Sequence, residues 1–239
     1  MSNSGNWPLI RRHIALEKVL SLATPDELHA IADILLDKSN DRLLGDDTSR
    51  QRLASCHLEG QLYQAVKEIA FEIRALGSVS LASLLRRGEP LSYDEVVRDV
   101  SSELKIKFSK VDTTARIEQM MLEMLAEKLA EQEVRETTKP SLLASSFGSL
   151  LGPLSNSRLG RVGATVVGSA LSSVAAAAMQ KVLPLNAINF VITNVLSVKN
   201  KARPEMEGLT MIVVHIARIR AGIVAADHQD FADRLRACL

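Results

Sequence analysis

Pro140 to Val198 reads PSLLASSFGSLLGPLSNSRLGRVGATVVGSALSSVAAAAMQKVLPLNAINFVITNVLSV. Its charges are Arg158, Arg161 and Lys181, and no acid occurs between Glu136 and Glu205. Charged, amphipathic helical sequence of an ordinary kind lies on either side. Where this block is buried decides both fold and function: in a protein core, in a partner's groove or in a lipid bilayer. Val162–Gln180 is an uncharged run of about the length a helix needs to cross a bilayer. Gly160, Ala164, Gly168, Ser172 and Ala176 recur every fourth position, which lays a ribbon of small side chains along one helix face. Such a ribbon lets a second backbone approach closely. After Lys181, Val182–Val198 supplies a second uncharged run, broken by Pro184, so a hairpin turning near Pro184-Leu185-Asn186 is the natural geometry.

The energetics of insertion are borderline. Leu, Ile, Phe and Val each gain only about 0.3 to 0.6 kcal/mol at the centre of a spanning helix. The first run is mostly Ala, Gly and Ser, so its summed preference for lipid is near zero. The second carries Asn186, Asn189 and Asn194, which must face a partner. A soluble form that shields the hairpin and releases it at a membrane fits these values. The competing reading is a small-residue helix pair permanently buried in a soluble protein. Arg158, Arg161, Lys181, Lys199, Lys201 and Arg203 flank the runs as candidates for anionic lipid headgroups, each contributing about 1 kcal/mol. Alternatively they are a solvated boundary, or pair with acids of a neighbouring helix.

With 239 residues the chain has room for one large helical domain or two small ones. Aromatics are only 3 % against 46 % apolar residues overall, so Ala, Leu, Val, Ile and Met must fill the core, which suits closely packed helices. A net charge of +1 gives no global argument for nucleic acid. Cys56 and Cys238 form neither a metal spacing nor a disulfide framework, consistent with a reducing cytoplasm. MSNSGNWPLIRRHIALEKVLSL lacks the pattern of a secretory signal.

Along the chain, Ile14 to Leu22 leads into a first helix. Thr24-Pro25-Asp26-Glu27 is a capping box with proline at the first helical position, opening a helix with Leu28, Ile31, Ile34 and Leu35 inward and an end near Asp37. Ser39–Arg50 reads as a loop. Leu58–Leu76 reads as one helix, with Gly77 placed to terminate it. A short helix carrying Leu81, Leu84 and Leu85 closes at Arg86-Arg87-Gly88. Ser92-Tyr93-Asp94-Glu95 is a second capping box, opening a helix with Val96, Val97, Val100 and Leu104 inward. Thr113–Glu136 is the longest of these helices, and its Met120, Met121 and Met124 read as core or as an adaptable binding stripe. After Pro204 a helix with Leu209, Ile212, Val213, Ile216, Ile219 and Ile223 resumes, and a short helix from Phe231 to Leu235 closes the chain.

No constellation announces catalysis. None of the five histidines, His13, His29, His57, His215 and His228, stands in a metal-ligand spacing. Adjacent Cys56 and His57 point in different directions on a helix, as do Asp94 and Asp99. Gly160-Arg161-Val162-Gly163 lacks the Lys-Ser/Thr ending of a phosphate loop. His215, on an apolar face, reads as a hydrogen-bonded core residue or a partner contact. No cofactor, metal or small-molecule substrate is expected.

Glu72 to Lys107, EIRALGSVSLASLLRRGEPLSYDEVVRDVSSELKIK, resembles the YaaW family of bacterial proteins through Gly77, Ser80, Ala82, Leu85, Arg86, Gly88, Tyr93, Asp99, Val100, Leu104 and Lys105. Ser78 stands where that family has a second glycine. The likeness extends to Ile117-Glu118, to the small-residue block and to IVVHIARIR from Ile212 to Arg220. The central region is distantly similar to the helical domain of ubiquinol–cytochrome c reductase assembly chaperones. The resemblance implies an all-helical bacterial protein and supplies no active site. Gly77, Arg86, Gly88, Tyr93 and Asp99 are then structural, with Arg86, Tyr93 and Asp99 expected as a polar cluster where two helices meet.

The expected architecture is all-α. Residues 1–139 form an amphipathic bundle, and residues 140–239 form a hydrophobic hairpin plus a C-terminal helix packing back on the bundle. The favoured function is non-enzymatic membrane association in the cytoplasm or at the inner membrane, peripheral or conditionally inserted, with a bacterial stress or conflict response as its setting. Anionic lipid is the expected ligand, and self-association or a protein partner is expected with it. The alternative is a soluble adaptor, assembly factor or immunity-type protein that keeps the hairpin covered and binds a protein through the Met-bearing helix. Neither reading calls for nucleic acid.

Overall fold

The computed structural model describes residues 11–37, 47–78, 91–136 and 204–238, and among these every regular element is helical. The elements are α1 (Leu16–Ser21), α2 (Pro25–Leu36), α3 (Asp47–Leu58), a 3-10 turn (Leu62–Ala65), α4 (Val66–Gly77), α5 (Tyr93–Glu103), α6 (Thr114–Glu136) and α7 (Pro204–Ala237). The all-α expectation holds for these residues. The small-residue ribbon Gly160–Ala176, the cations Arg158, Arg161, Lys181, Lys199, Lys201 and Arg203, and the Leu81–Gly88 helix with Arg86 all lie outside them.

α7 is the axis of the bundle. Residues 212–220 are all buried, so this stretch is enclosed on every face rather than along one stripe. It packs against α1, α2, α4, α5 and α6. Ile212, Val213, Ile216 and Ile219 join one continuous core with Leu20, Ile31, Leu35, Ile69, Ile73, Val96, Val100, Ile117 and Met121. Met121 is fully buried and Met120 and Met124 are half-buried, so the methionine stripe fills the core in its centre. α7 is also long and apolar enough to cross a membrane, over Met206–Ala237, but 72 % of its most apolar window is buried within the protein.

The two capping boxes form as their sequences predict. The Glu27 amide donates to Thr24 Oγ1 at 3.4 Å while the Thr24 amide donates to Glu27 Oε2 at 2.9 Å. Ser92 and Glu95 repeat the arrangement at 3.3 and 2.9 Å. Both boxes satisfy amides that would otherwise be left open at a helix start.

Three boundaries differ from expectation. Asp47–Arg50 is not loop but the start of α3, whose buried apolar positions are only Leu53 and Cys56, too few for a helical period to show. Leu58–Leu76 is not one helix. α3 stops at Leu58, Gly60 takes a left-handed φ of 69°, and the Gln61 amide donates to the Cys56 carbonyl at 2.8 Å. That is the reversal in which glycine avoids a Cβ clash. The expected Phe231–Leu235 helix is the end of an unbroken α7, because Gln229–Asp233, Asp230–Arg234 and Asp233–Arg236 side-chain pairs support its exposed last turns.

Gly77 does a different job from the terminator expected of it. It is the last residue of α4, and a Cβ there would lie 2.6 Å from Val96 Cγ2. Val96 is fully buried and β-branched, so it has little room to yield. Glycine at 77 is what lets α4 and α5 touch. Gly77→Ala is expected to cost about 1–3 kcal/mol, the usual range for overpacking a filled core, measured as a lowered urea midpoint with unchanged helical content.

Candidate functional site

The polar centre of the bundle is built by three helices and the chain entering α1. Tyr93, in the first turn of α5, is buried, and its hydroxyl donates to Glu118 Oε1 at 2.8 Å. Glu118 sits near the start of α6, 1 % exposed on a face otherwise filled by Ile117 and Met121. Arg220 reaches it from α7: Nε donates to Glu118 Oε2, and the second amino group lies 3.4 Å from Oε1. The remaining guanidinium nitrogen donates to the carbonyl of Ile14 at 2.7 Å and lies 3.4 Å from that of Arg12. Three donors therefore converge on one carboxylate, and the guanidinium has acceptors on every side. This is the condition under which a buried ion pair is tolerated.

Burial pushes the Glu118 carboxyl up, against the pull of Arg220 and the hydrogen bonds from Arg220 and Tyr93. Burial first, and then the Glu118 charge, push the Tyr93 phenol well above its ordinary value. Tyr93, Glu118 and Arg220 belong to three different helices, and each bond of the network ties two of them together. The chemistry this arrangement supports is the fixing of helix positions.

Two further pairs extend the pattern along α7. Arg218 donates to Glu27 at 3.1 Å, so the acid that closes the α2 capping box also receives a cation from the central helix. Arg11 grips Asp227 through its side chain at 2.6 and 3.1 Å and its own amide at 2.8 Å. Burial opposes the ionised form of Asp227, but these bonds and the Arg11 charge together hold its carboxyl below the usual range.

A cleft of about 320 Å³ opens over the network, with Arg12, His13, Arg74, Tyr93, Thr114 and Arg220 among its walls. Its ionic walls are largely engaged. Arg74 donates to Glu17 at 2.8 Å, and Asp94 accepts from Arg98 at 2.8 Å and from Thr114 at 2.7 Å. Among the described residues no group of three or more His, Cys, Asp or Glu side chains is placed to hold a metal ion.

Of the residues singled out in the sequence, Gly77 and Tyr93 meet at the α4–α5 joint, where Gly77 faces Val96 one turn beyond Tyr93. Asp99 is exposed on the opposite side of α5, so the Tyr93 hydroxyl takes Glu118 as partner and not Asp99. Gly88, like Arg86, lies outside the described residues. Glu118 and Arg220 carried a signal as charges inside apolar helical faces, but nothing local names their partner 102 residues away. Cys56 turns into the core while His57 lies 2.7 Å from Asp33 and edge-on to His29, so the adjacent pair diverges as helical neighbours should.

His215 corrects an expectation. It is 1 % exposed at the middle of α7, and neither ring nitrogen has a hydrogen-bond partner among the described residues. Burial, and then the Arg218 charge, bring its pKa down to about 4. The folded protein thus holds a neutral imidazole that the unfolded chain protonates below about 6.5.

Two measurements follow from these groups. Glu118→Gln leaves the Arg220 charge buried without its carboxylate and is expected to cost about 3–5 kcal/mol in denaturant unfolding. The double variant Glu118→Met with Arg220→Met should cost less than Glu118→Met alone; equal or greater loss would show that the charges do not act as a pair. For His215, stability is full above pH 6.5 and falls as pH drops toward 4, by about 3 kcal/mol in total. The difference in unfolding free energy between wild type and His215→Leu should therefore shift toward the variant on acidification; a constant difference from pH 7 to pH 4.5 would refute the assignment.

No family model matches the chain, and no solved structure matches it. A UPF0174 protein of Helicobacter pylori (strain J99) is 37 % identical over 73 residues, which are 30 % of this chain and 28 % of that protein. The chain thus matches less than a third of that relative's length, a partial likeness that supports kinship with an uncharacterised protein family and assigns no activity.

Proposed function

We propose that the protein is a non-enzymatic helical protein that associates with membranes through residues 140–198, and that its family is the YaaW family. The observation that carries the reading is the acid-free segment between Glu136 and Glu205, inserted between two helices, α6 and α7, that are both anchored in the bundle core. α7 itself is the less suitable membrane element, because Arg218, Arg220 and Asp227 are matched to partners in α2, α6 and the chain before α1. The YaaW assignment is supported by where the resembling residues fall: Gly77 sets the α4–α5 contact, while Tyr93, Glu118 and Arg220 form one network.

A second reading, a soluble adaptor or assembly factor, is favoured by one feature. Leu58 and Tyr63, on either side of the Gly60 reversal, are 87 % and 68 % exposed and form an apolar corner suited to a protein partner.

The full-length protein is expected to float with liposomes containing anionic lipid. Gly168→Leu should lower the floating fraction about fivefold, the loss of about 1 kcal/mol of close helix contact. Protein that stays entirely in the soluble fraction with every lipid composition removes the membrane reading and leaves the adaptor.

A further inference from the structure

We propose that the connection between α5 and α6, Lys105 to Val111, is a pre-shaped contact surface for anionic lipid headgroups. The inference rests on the membrane reading above but concerns a different part of the chain.

The loop is rigid for reasons visible residue by residue. α5 ends in a paired reversal: the Lys105 amide donates to the Ser102 carbonyl at 3.0 Å and the Ile106 amide to the Ser101 carbonyl at 2.9 Å. The residue at the left-handed position of this motif is normally glycine, yet here it is Lys105, with φ 60°. The backbone thus holds a lysine where a glycine would be less strained. Ile106 and Phe108 then pack against the core, which leaves Lys105 and Lys107 exposed. The guanidinium of Arg98 lies 5.7 Å from the Phe108 ring centre and donates to the carbonyls of Asp112 at 2.7 Å and Ser109 at 3.4 Å. Asp112 in turn accepts from the Ser109 amide at 2.6 Å, closing the tip on which Lys110 and Val111 stand.

The tip carries two features that water alone does not reward. Val111 is 86 % exposed, among the most exposed apolar side chains described. Lys105, Lys107 and Lys110 are exposed as well, and no ion pair involves them among the described residues. An apolar tip beside unpaired ammonium groups matches a lipid interface, where the methyl groups reach the acyl boundary and the lysines stay at phosphate level. Lysine is a point charge suited to a diffuse anionic plane, whereas a single phosphate group is better gripped by the arginine fork. Single-stranded nucleic acid would call for an offered aromatic face, and Phe108 is tucked beneath Arg98. Because Arg98 and Asp112 already fix the loop, little ordering cost remains on binding.

The test uses the full chain with vesicles of phosphatidylcholine alone and of phosphatidylcholine mixed with phosphatidylglycerol. Wild type should prefer the anionic vesicles, and the preference should shrink as salt rises from about 0.1 M to about 1 M, where screening shortens from about 10 to about 3 Å. The combined variant Lys105→Gly, Lys107→Gln, Lys110→Gln should bind the anionic vesicles roughly a hundredfold more weakly, about fivefold per lysine. Its unfolding midpoint should be unchanged or raised, since glycine relieves the left-handed position. Val174→Asp, within the acid-free segment, should instead strip the salt-resistant part of binding and spare the anionic preference. Wild type that binds no vesicle overturns both proposals. Wild type that binds while the lysine variant binds equally well overturns the loop and leaves the membrane reading standing. A lysine variant that loses affinity for a single-stranded oligonucleotide but not for vesicles makes the loop a nucleic-acid surface and overturns the assignment to lipid.

Discussion

A buried arginine on the central helix governs how this bundle is assembled. Arg220 lies at the end of a run of buried residues in α7 and is only 5 % exposed at the wall of the cleft, so little of its charge reaches solvent. Taking a guanidinium out of water costs several kcal/mol even after relaxation, and only a geometry that meets its donors offsets this. Glu118 supplies a carboxylate from α6, and Ile14 and Arg12 supply carbonyls from the chain entering α1. Tyr93 fills the carboxylate's remaining capacity from α5. Sliding α7 by one turn along its neighbours would break all of these at once. Apolar packing alone tolerates such a slip, because isoleucine and valine recur along the same faces. The network therefore reads as a device that sets the register of α7, with Arg218–Glu27 and Arg11–Asp227 repeating the constraint at other points along the helix.

How much of this was legible in the sequence depended on the range of the interaction. The capping boxes at Thr24 and Ser92 were readable because both partners lie within three residues. The inward faces of α2, α5 and α7 were readable because their branched aliphatics recur at helical spacing. α3 was hidden because Leu53 and Cys56 are too few apolar positions to make a period against its charged remainder. The unbroken end of α7 was hidden because its last turns face water and are held by i,i+4 pairs, not by an apolar stripe. Glycine was ambiguous. Gly60 supplies a left-handed turn and Gly77 supplies absent volume, and the letter in the sequence is the same for both.

At the polar centre, neither Glu118 nor Arg220 was singled out in the sequence as a site residue. Glu118 and Arg220 each interrupt an apolar face, but their pairing spans 102 residues and no local window contains it. Tyr93 opens a capped helix, which places it well. Its burial against Glu118 follows only once α6 is laid beside α5. His215 was legible as a core residue. That its ring lacks a hydrogen-bond partner among the described residues was not, because local sequence offers no count of what surrounds a side chain in the fold.

The contrast between α7 and residues 140–198 bears on what the apolar segment is for. Both are rich in apolar residues, but they solve burial differently. α7 carries large branched side chains and three buried charged residues, Arg218, Arg220 and Asp227, each matched by a partner elsewhere in the bundle. Such matching suits a permanent core, since an unmatched charge there would cost more than the packing returns. The segment from Val162 to Gln180 carries no charge at all, and its aliphatics are outnumbered by Ala, Gly and Ser. Small residues contribute little hydrophobic area each, on the order of 25 cal/mol per Å² buried, so they are inefficient filling for an aqueous protein's centre. What they permit is close backbone contact, which gains in relative worth where surrounding lipid removes the hydrophobic contribution. One helix is thus filled with branched, charge-matched residues, while the acid-free segment is rich in small, uncharged ones. That difference, together with the exposed lysines of the α5–α6 loop, is what supports the proposed membrane association.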